Sequence, residues 1–229
     1  MGTPRKKPIK PRKPPPPSTP KQPKPWAAPP SAKWGDNNPN EIFRAVGLAL
    51  TNWELLEHEM GALFVVLVAP RSNEAMRAYS AVLASGARLK MIGGAAEAFF
   101  LTREEDPFPA LKKQVDGLLE AVEGFAPRRN EIAHGVIGIK FADEPMYEHV
   151  VPKSSWVLTP SIYAKTKRTM VHAKLSGIVG LIPLYEYSSV EINGISAKFR
   201  DLKGVASKVA LAIRRQRHLE RKALLEKSP

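Results

Sequence analysis

Two arginines, an asparagine and a histidine stand within seven residues in the stretch Arg128-Arg129-Asn130-Glu131-Ile132-Ala133-His134, and Gly135 follows. Only Ile132 and Ala133 are apolar, so core packing does not call for this combination. Histidine is the usual group for moving a proton near neutral pH. Arginine beside it supplies a fixed charge with forked donors that match a phosphate. Together they hold what metal-free cleavage of RNA requires: a base for the 2′-hydroxyl proton and a cation for the charge that develops on phosphorus. The Asn130 amide can orient the histidine or bind the same oxygen.

Spacing limits how these groups meet. On a helix, Asn130 and His134 are four apart and share a face. Arg129 and His134 are five apart, so their directions differ by roughly 140° at 3.6 residues per turn. Arg128 is about as far off on the other side. One helix does not aim arginine and histidine at a single point, whereas two copies facing across a two-fold axis do so readily. The pattern therefore predicts a homodimer. Gly135 reads as the residue just past a helix C-terminus, which places His134 in the last turn. A structural alternative stays open: Asn130 and His134 tie down a helix end, and the arginines bind acids such as Glu120 or Glu123.

Supporting groups are few. "WELLEHE" puts Glu54 and His58 on one helical face with Glu57 nearby, and an acid there could orient His134 or Arg129 across the bundle. "HEMGA" begins like a zinc-protease helix but lacks the second histidine, so no metal site is expected. His149, His172 and His218 have no partner at ligand spacing, and no Gly-rich phosphate loop or cofactor signature is present. Trp156, Tyr163, Tyr185 and Tyr187 are candidates for base stacking, with core and hairpin packing as the competing role.

The order Arg129-Asn130, three residues, then His134 resembles the signature of the HEPN superfamily (higher eukaryotes and prokaryotes nucleotide-binding domains). That signature carries Arg, then a polar residue, with His four to six residues after the Arg on a late helix. The resemblance covers roughly residues 40–136 and the final helix. It implies an all-helical bundle, a dimer with two motifs at one cleft, and a metal-independent endoribonuclease of toxin–antitoxin or antiviral type. It assigns Arg129 to the phosphate, Asn130 to the polar second position and His134 to proton transfer. Arg128 also falls within the permitted spacing and is a further substrate-binding candidate. Members that bind without cutting exist too, so a non-catalytic helical scaffold with basic tails is the alternative.

The elements that must position these residues follow from apolar periodicity. Ile42, Val46, Ala49, Trp53, Leu56, Met60, Leu63 and Leu67 recur at three and four, which predicts one long helix ending at Pro70. A second helix, capped by Ser72 or Asn73, carries Met76, Tyr79, Val82, Leu83, Leu89, Ile92, Ala96 and Phe99. A third is expected from about Ala110 to Gly124, with Leu111, Val115, Leu118, Leu119 and Val122 inward. Pro127 suits the first turn of a separate short helix bearing the motif. After Gly135 the period changes, and "VIGIKF" and "HVVPKSSWVLTP" read as strands. Further strand pieces are expected at Ser161–Lys165 and Tyr187–Asn193, with a short helix in "KRTMVHAKLSGIVGLIP" between them. A last helix runs from Ile195 to about Lys227 on Ile195, Phe199, Leu202, Val205, Val209 and Ile213. The expected fold is mainly α: a four- to five-helix bundle with a small antiparallel β insertion, at about 136–193, before a long C-terminal helix.

Charge divides the chain further. Residues 1–35 hold nine Lys/Arg and no acid, and twelve of the 22 prolines lie within residues 1–30. Residues 198–229 hold ten Lys/Arg against three acids. The net charge of +13 thus lives at the two ends, and the middle is slightly acidic. Residues 1–36 read as a disordered basic tail, since they offer little to bury, residues 37–213 as the folded domain, and 214–229 as a basic helical extension. Clustered cations of this kind bind polyphosphates through counterion release, and "PRKPPPPSTP" could dock on a proline-recognition partner. RNA is the expected partner, with an antitoxin as a further possibility. No cysteine is present, so disulfides and thiolate metal sites are excluded. The longest apolar run, Gly61 to Pro70, is about half of what a membrane span needs. A cytoplasmic protein without membrane contact is expected.

Overall fold

The structure is a computed structural model that describes residues 24–68, 73–141, 153–161, 168–172 and 179–226. Five helices are present: α1 (Pro39–Val68), α2 (Asn73–Ala81), α3 (Ser85–Phe100), α4 (Phe108–His134) and α5 (Ser189–Glu226). Between α4 and α5 lie β1 (Gly135–Phe141), β2 (Ser154–Pro160), β3 (Arg168–His172) and β4 (Val179–Pro183). The protein is therefore mainly helical, with a small antiparallel β region before a long last helix.

The predicted stripe of α1 is buried at Ile42, Ala49, Trp53, Leu56, Met60, Leu63 and Leu67, joined by Ala45 and Phe64. It packs lengthwise on α5. Trp53 meets Phe199 edge-on at 4.9 Å, Asn52 donates to Ser196 Oγ at 2.8 Å, and Arg217 donates to the Leu67 carbonyl at 2.7 Å. These pairs rise together in number, so the two helices run parallel. α4 runs in the opposite sense to α5, with Phe125 against Phe199 and the later Arg128 against the earlier Tyr187.

Four expectations are corrected. The second predicted helix is two, α2 and α3, broken at residues 82–84 where Leu83 is 92% exposed. Arg88 holds the break by donating to the Val82 carbonyl at 2.7 Å, and its guanidinium lies over the Tyr79 ring. The third helix does not stop at Gly124. α4 runs unbroken through Pro127 to His134, so the motif ends a 27-residue helix. An interior proline removes one backbone bond at a cost of about 3 kcal/mol. Burial of Phe125 and Ile132 on either side of it offsets that loss.

The segment expected to form a short helix contains β3 and β4 instead, paired from Arg168↔Pro183 to His172↔Val179. Its β-branched residues favour extended backbone. The strand expected at Tyr187–Asn193 is a single bridge, Leu158 to Tyr187, after which α5 begins at Ser189. Ser188 and Glu191 form a capping box there: Glu191 accepts from the Ser188 amide at 2.8 Å, and Ser188 Oγ accepts from the Val190 amide at 3.2 Å. Asp36 adds a second cap, accepting from the amide and hydroxyl of Ser189 at 2.7 Å each. Of the strand expected at Ser161–Lys165, residues 162–165 lie outside the described residues, as do Tyr163 and His149.

Residues 24–36, assigned by composition to the tail, are docked on the body. Trp26 packs on Phe125, and a Cβ on Gly124 would come within 2.4 Å of its ring. Asp36 and Trp156 exchange backbone hydrogen bonds at 2.8 Å, and Lys140 donates to the Ala32 carbonyl. The Trp26 ring anchors this strap against Phe125. At the other end, α5 stays attached beyond Ile213. Arg217 lies over the Phe99 ring at 4.8 Å, and Arg103 pairs with Glu220 at 2.9 Å.

Candidate functional site

The site is built where the end of α4 passes the middle of α1 and the start of α3. Successive residues on a helix turn by about 100°, and this separates the two arginines completely. Arg128 points inward and its Nη2 lies 2.8 Å from Glu131 Oε1. Tyr187 donates to Glu131 Oε2 at 2.8 Å and accepts from Arg128 Nη1 at 3.2 Å. Tyr185, stacked on Tyr187, donates to the Glu131 carbonyl at 3.1 Å. Burial, with the Glu131 carboxylate beside it, pushes the Tyr187 phenol well above its ordinary pKa. Arg128 is thereby committed to a buried network that fixes α4 to the chain leading into α5. The structure does not bring it to a substrate, contrary to the sequence expectation. Tyr185 and Tyr187 are likewise buried and unavailable for base stacking, while Trp156 is half-buried.

Arg129 and Asn130 face the other way and line a cavity of about 370 Å³ together with Trp53, Glu54, Glu57 and Arg88. Arg129 Nη1 donates to Asn130 Oδ1 at 3.2 Å. Its Nη2 stands 3.7 Å from Glu54 Oε1, close enough for attraction but beyond a hydrogen bond. Its buried Nε has no hydrogen-bond partner among the described residues. Glu57 is paired with Arg88 at 3.1 Å. The two supporting acids thus reach the two ends of the cavity: Glu54 serves Arg129 and Glu57 serves Arg88. A smaller cavity of about 200 Å³ continues past Glu54, Glu57 and Arg88 to His58 and Tyr79.

His134 is exposed on the last turn of α4, about 6 Å along the axis from Asn130 by the rise of one turn. It does not line the cavity and has no partner among the described residues. Gly135 differs from its expected role. Its φ of −72° and ψ of 158° are extended, so the helix passes directly into β1 without a left-handed residue. Glycine is needed there for closeness, since a Cβ would come within 2.8 Å of the Glu131 carbonyl and of Leu158.

The arginines do bind acids, as the structural alternative supposed, but Glu131 and Glu54 and not Glu120 or Glu123. Glu120 pairs with Lys24. Sequence reasoning missed Glu131 and Arg88, and it named Tyr187 for stacking or packing without its bond to Glu131. Only the first left a signal, because Arg128 and Glu131 are three apart on a helix. One chain therefore presents a cation and an amide in a cavity, with an imidazole outside it on the amide's side of the helix. That arrangement can hold a polar ligand at Arg129 and offers His134 for proton transfer to whatever lies across the exposed end of α4.

Among the described residues no three His, Asp or Glu side chains converge on a point that would hold a metal ion. None of the described helices is long and apolar enough to cross a membrane. No protein-family model, curated protein or solved structure matches the chain.

Proposed function

We propose that the protein is an RNA-binding, HEPN-like homodimer and a metal-independent endoribonuclease. What carries this reading is the placement of the motif: Arg129 and Asn130 open into one cavity, and His134 stands exposed one turn further along the same helix. Across a two-fold axis, the His134 of one subunit reaches the ribose that the Arg129 of the other holds by its phosphate. His134 takes the 2′-hydroxyl proton, the 2′-oxygen attacks phosphorus, and the bond to the 5′-oxygen breaks as that oxygen takes a proton from water. The products are a 2′,3′-cyclic phosphate and a 5′-hydroxyl. Arg129 balances charge on the phosphorane-like transition state, and Glu54 keeps its guanidinium oriented until substrate arrives. The basic ends raise encounter rate and general affinity. A cytoplasmic toxin or defence role, with an antitoxin as partner, is the setting the family resemblance implies.

The test is cleavage of a labelled RNA in EDTA by the wild type, Arg129→Ala and His134→Ala, with dimerisation followed by sedimentation. Loss of cleavage in both variants, with dimer and fold intact, is the expected outcome. Equal activity in wild type and His134→Ala refutes it.

One observation favours a second reading, in which the protein is a non-catalytic scaffold: no described side chain orients His134. Under that reading the RNA affinity resides in the tail. Because residues 24–36 are docked, removal of residues 1–23 is the discriminating deletion, and it then abolishes RNA binding altogether.

A further inference from the structure

The cavity holds more than the cation that backbone cleavage needs. Two guanidinium groups, Arg88 and Arg129, line it together with two carboxylates, Glu54 and Glu57, and the Asn130 amide. Beyond the one phosphate that Arg129 takes, a further anion gains little here, because the carboxylates offset the remaining guanidinium. An uncharged ligand that carries donors and acceptors along one edge fits far better. The rest of the lining is Trp53, itself buried, with Ser85, Gly86, Ala126 and the exposed Leu83. A flat heteroaromatic ring with a polar edge suits such a lining, and about 370 Å³ admits one nucleobase with its sugar at the mouth.

The free hydrogen-bonding groups select among the bases. The Glu54 side chain is 68% exposed and stands 3.7 Å from Arg129, and its two carboxylate oxygens accept no hydrogen bond among the described residues. Guanine alone offers two adjacent donors, N1–H and the 2-amino group, on its Watson–Crick edge. A carboxylate accepts both at once. Asn130 Nδ2 and Arg88 Nη2 also lack partners among the described residues, and they supply donors for the O6 and N7 acceptors. We propose that this cavity is a guanine subsite, with Glu54 reading the Watson–Crick edge of a base next to the phosphate held by Arg129. The proposal rests on the ribonuclease reading for its place in the reaction, though base binding itself needs no cleavage. Occupancy also takes Glu54 away from Arg129, which frees the guanidinium for the phosphate.

The experiment is calorimetric titration of the full chain with guanosine 5′-monophosphate, and with the inosine, adenosine, cytidine and uridine 5′-monophosphates. Nonspecific attraction of the phosphate to the basic ends is common to all five. The guanosine compound is expected to bind about tenfold more tightly than each of the others, including inosine, which lacks only the 2-amino group. Glu54→Gln lowers guanosine monophosphate affinity about tenfold and leaves the adenosine compound unchanged, because one of two acceptors becomes a donor. Equal binding of guanosine and inosine monophosphates, or an unaltered preference in Glu54→Gln, overturns the subsite. RNA cleavage that depends on His134 but comes with no guanine preference overturns the subsite and leaves the nuclease reading standing. Selective guanosine monophosphate binding by a chain that cuts no RNA supports the subsite and refutes the nuclease.

Discussion

Arg128 reaches back along one turn of α4 to Glu131, Nη2 to Oε1 at 2.8 Å, while the next residue in the chain, Arg129, turns away to Glu54. Two identical side chains one residue apart therefore belong to different parts of the molecule. The first is an interior strut with 12% of its side chain exposed. The second sits half-exposed at a cavity mouth, paired so loosely that a ligand can displace its partner.

This division predicts opposite phenotypes. Glu131→Ala leaves Arg128 buried without its counter-charge and strips the Tyr187 hydroxyl of its carboxylate acceptor. A loss of about 3–5 kcal/mol in urea unfolding is expected, as for other broken buried pairs. Arg129→Ala removes an ion pair at 3.7 Å with a largely exposed carboxylate and an exposed hydrogen bond to Asn130, so stability should move by about 1 kcal/mol or less. A strongly destabilised Arg129→Ala protein would show that its guanidinium is structural as well.

Two buried phenols give the fold an alkaline limit. Burial raises the pKa of Tyr187, helped by Glu131, and burial also raises that of Tyr79, helped by Glu57. A phenol whose folded pKa exceeds its unfolded value of about 10 keeps its full contribution to stability below that pH. Above it the unfolded chain loses its proton first, so stability falls as pH rises. Urea midpoints measured from pH 9 to 11 should decline, and Tyr187→Phe should flatten that decline while lowering stability by about 1 kcal/mol at pH 7. A midpoint independent of pH over that range would contradict the burial of both hydroxyl groups.

How much of this was legible in the sequence depends on whether the signal was local. The α1 stripe from Ile42 to Leu67 and the β1–β2 pairing were, because burial on one face imposes a period of 3.6 or 2. The break before α3 was not: Arg88 holding the Val82 carbonyl is a tertiary event, and Leu83 fits a helical stripe it does not join. Pro127 misled in the opposite direction, since packing on both flanks carries the helix through it. At the site, Arg129, Asn130 and Glu54 were legible and do meet at one cavity. Arg128 and Arg129 could not be told apart, because both fall within the motif's spacing and only the position of Tyr187 decides which is interior.

The strap separates tail from fold at a definite place. Trp26 fills the space above Gly124, and Asp36 caps α5, so residues 24–36 contribute to stability. Deleting residues 1–23 should leave the urea midpoint unchanged while removing seven Lys/Arg, lowering RNA affinity and reducing the slope of log affinity against log salt. Deleting residues 1–36 should cost several kcal/mol, since about 1 kcal/mol is lost with the cap alone and the Trp26 contact goes with it. Identical unfolding of the two truncated chains would show that the strap is only laid on the surface.

The last prediction concerns how the motif is shared. Arg129 and His134 diverge by roughly 140° on one helix, so the proposed dimer would draw the arginine of each site from one subunit and the histidine from the other. Subunits carrying Arg129→Ala retain the histidine, and subunits carrying His134→Ala retain the arginine. A mixed dimer of the two holds one complete composite site. Mixing the inactive variants in equal amounts, with subunit exchange, makes half the dimers mixed and should restore roughly a quarter of wild-type cleavage, given two sites related by the two-fold axis. If each site used both groups from a single helix, no mixture would recover activity. The recovered fraction therefore measures directly whether catalysis is shared across the axis or confined to one chain.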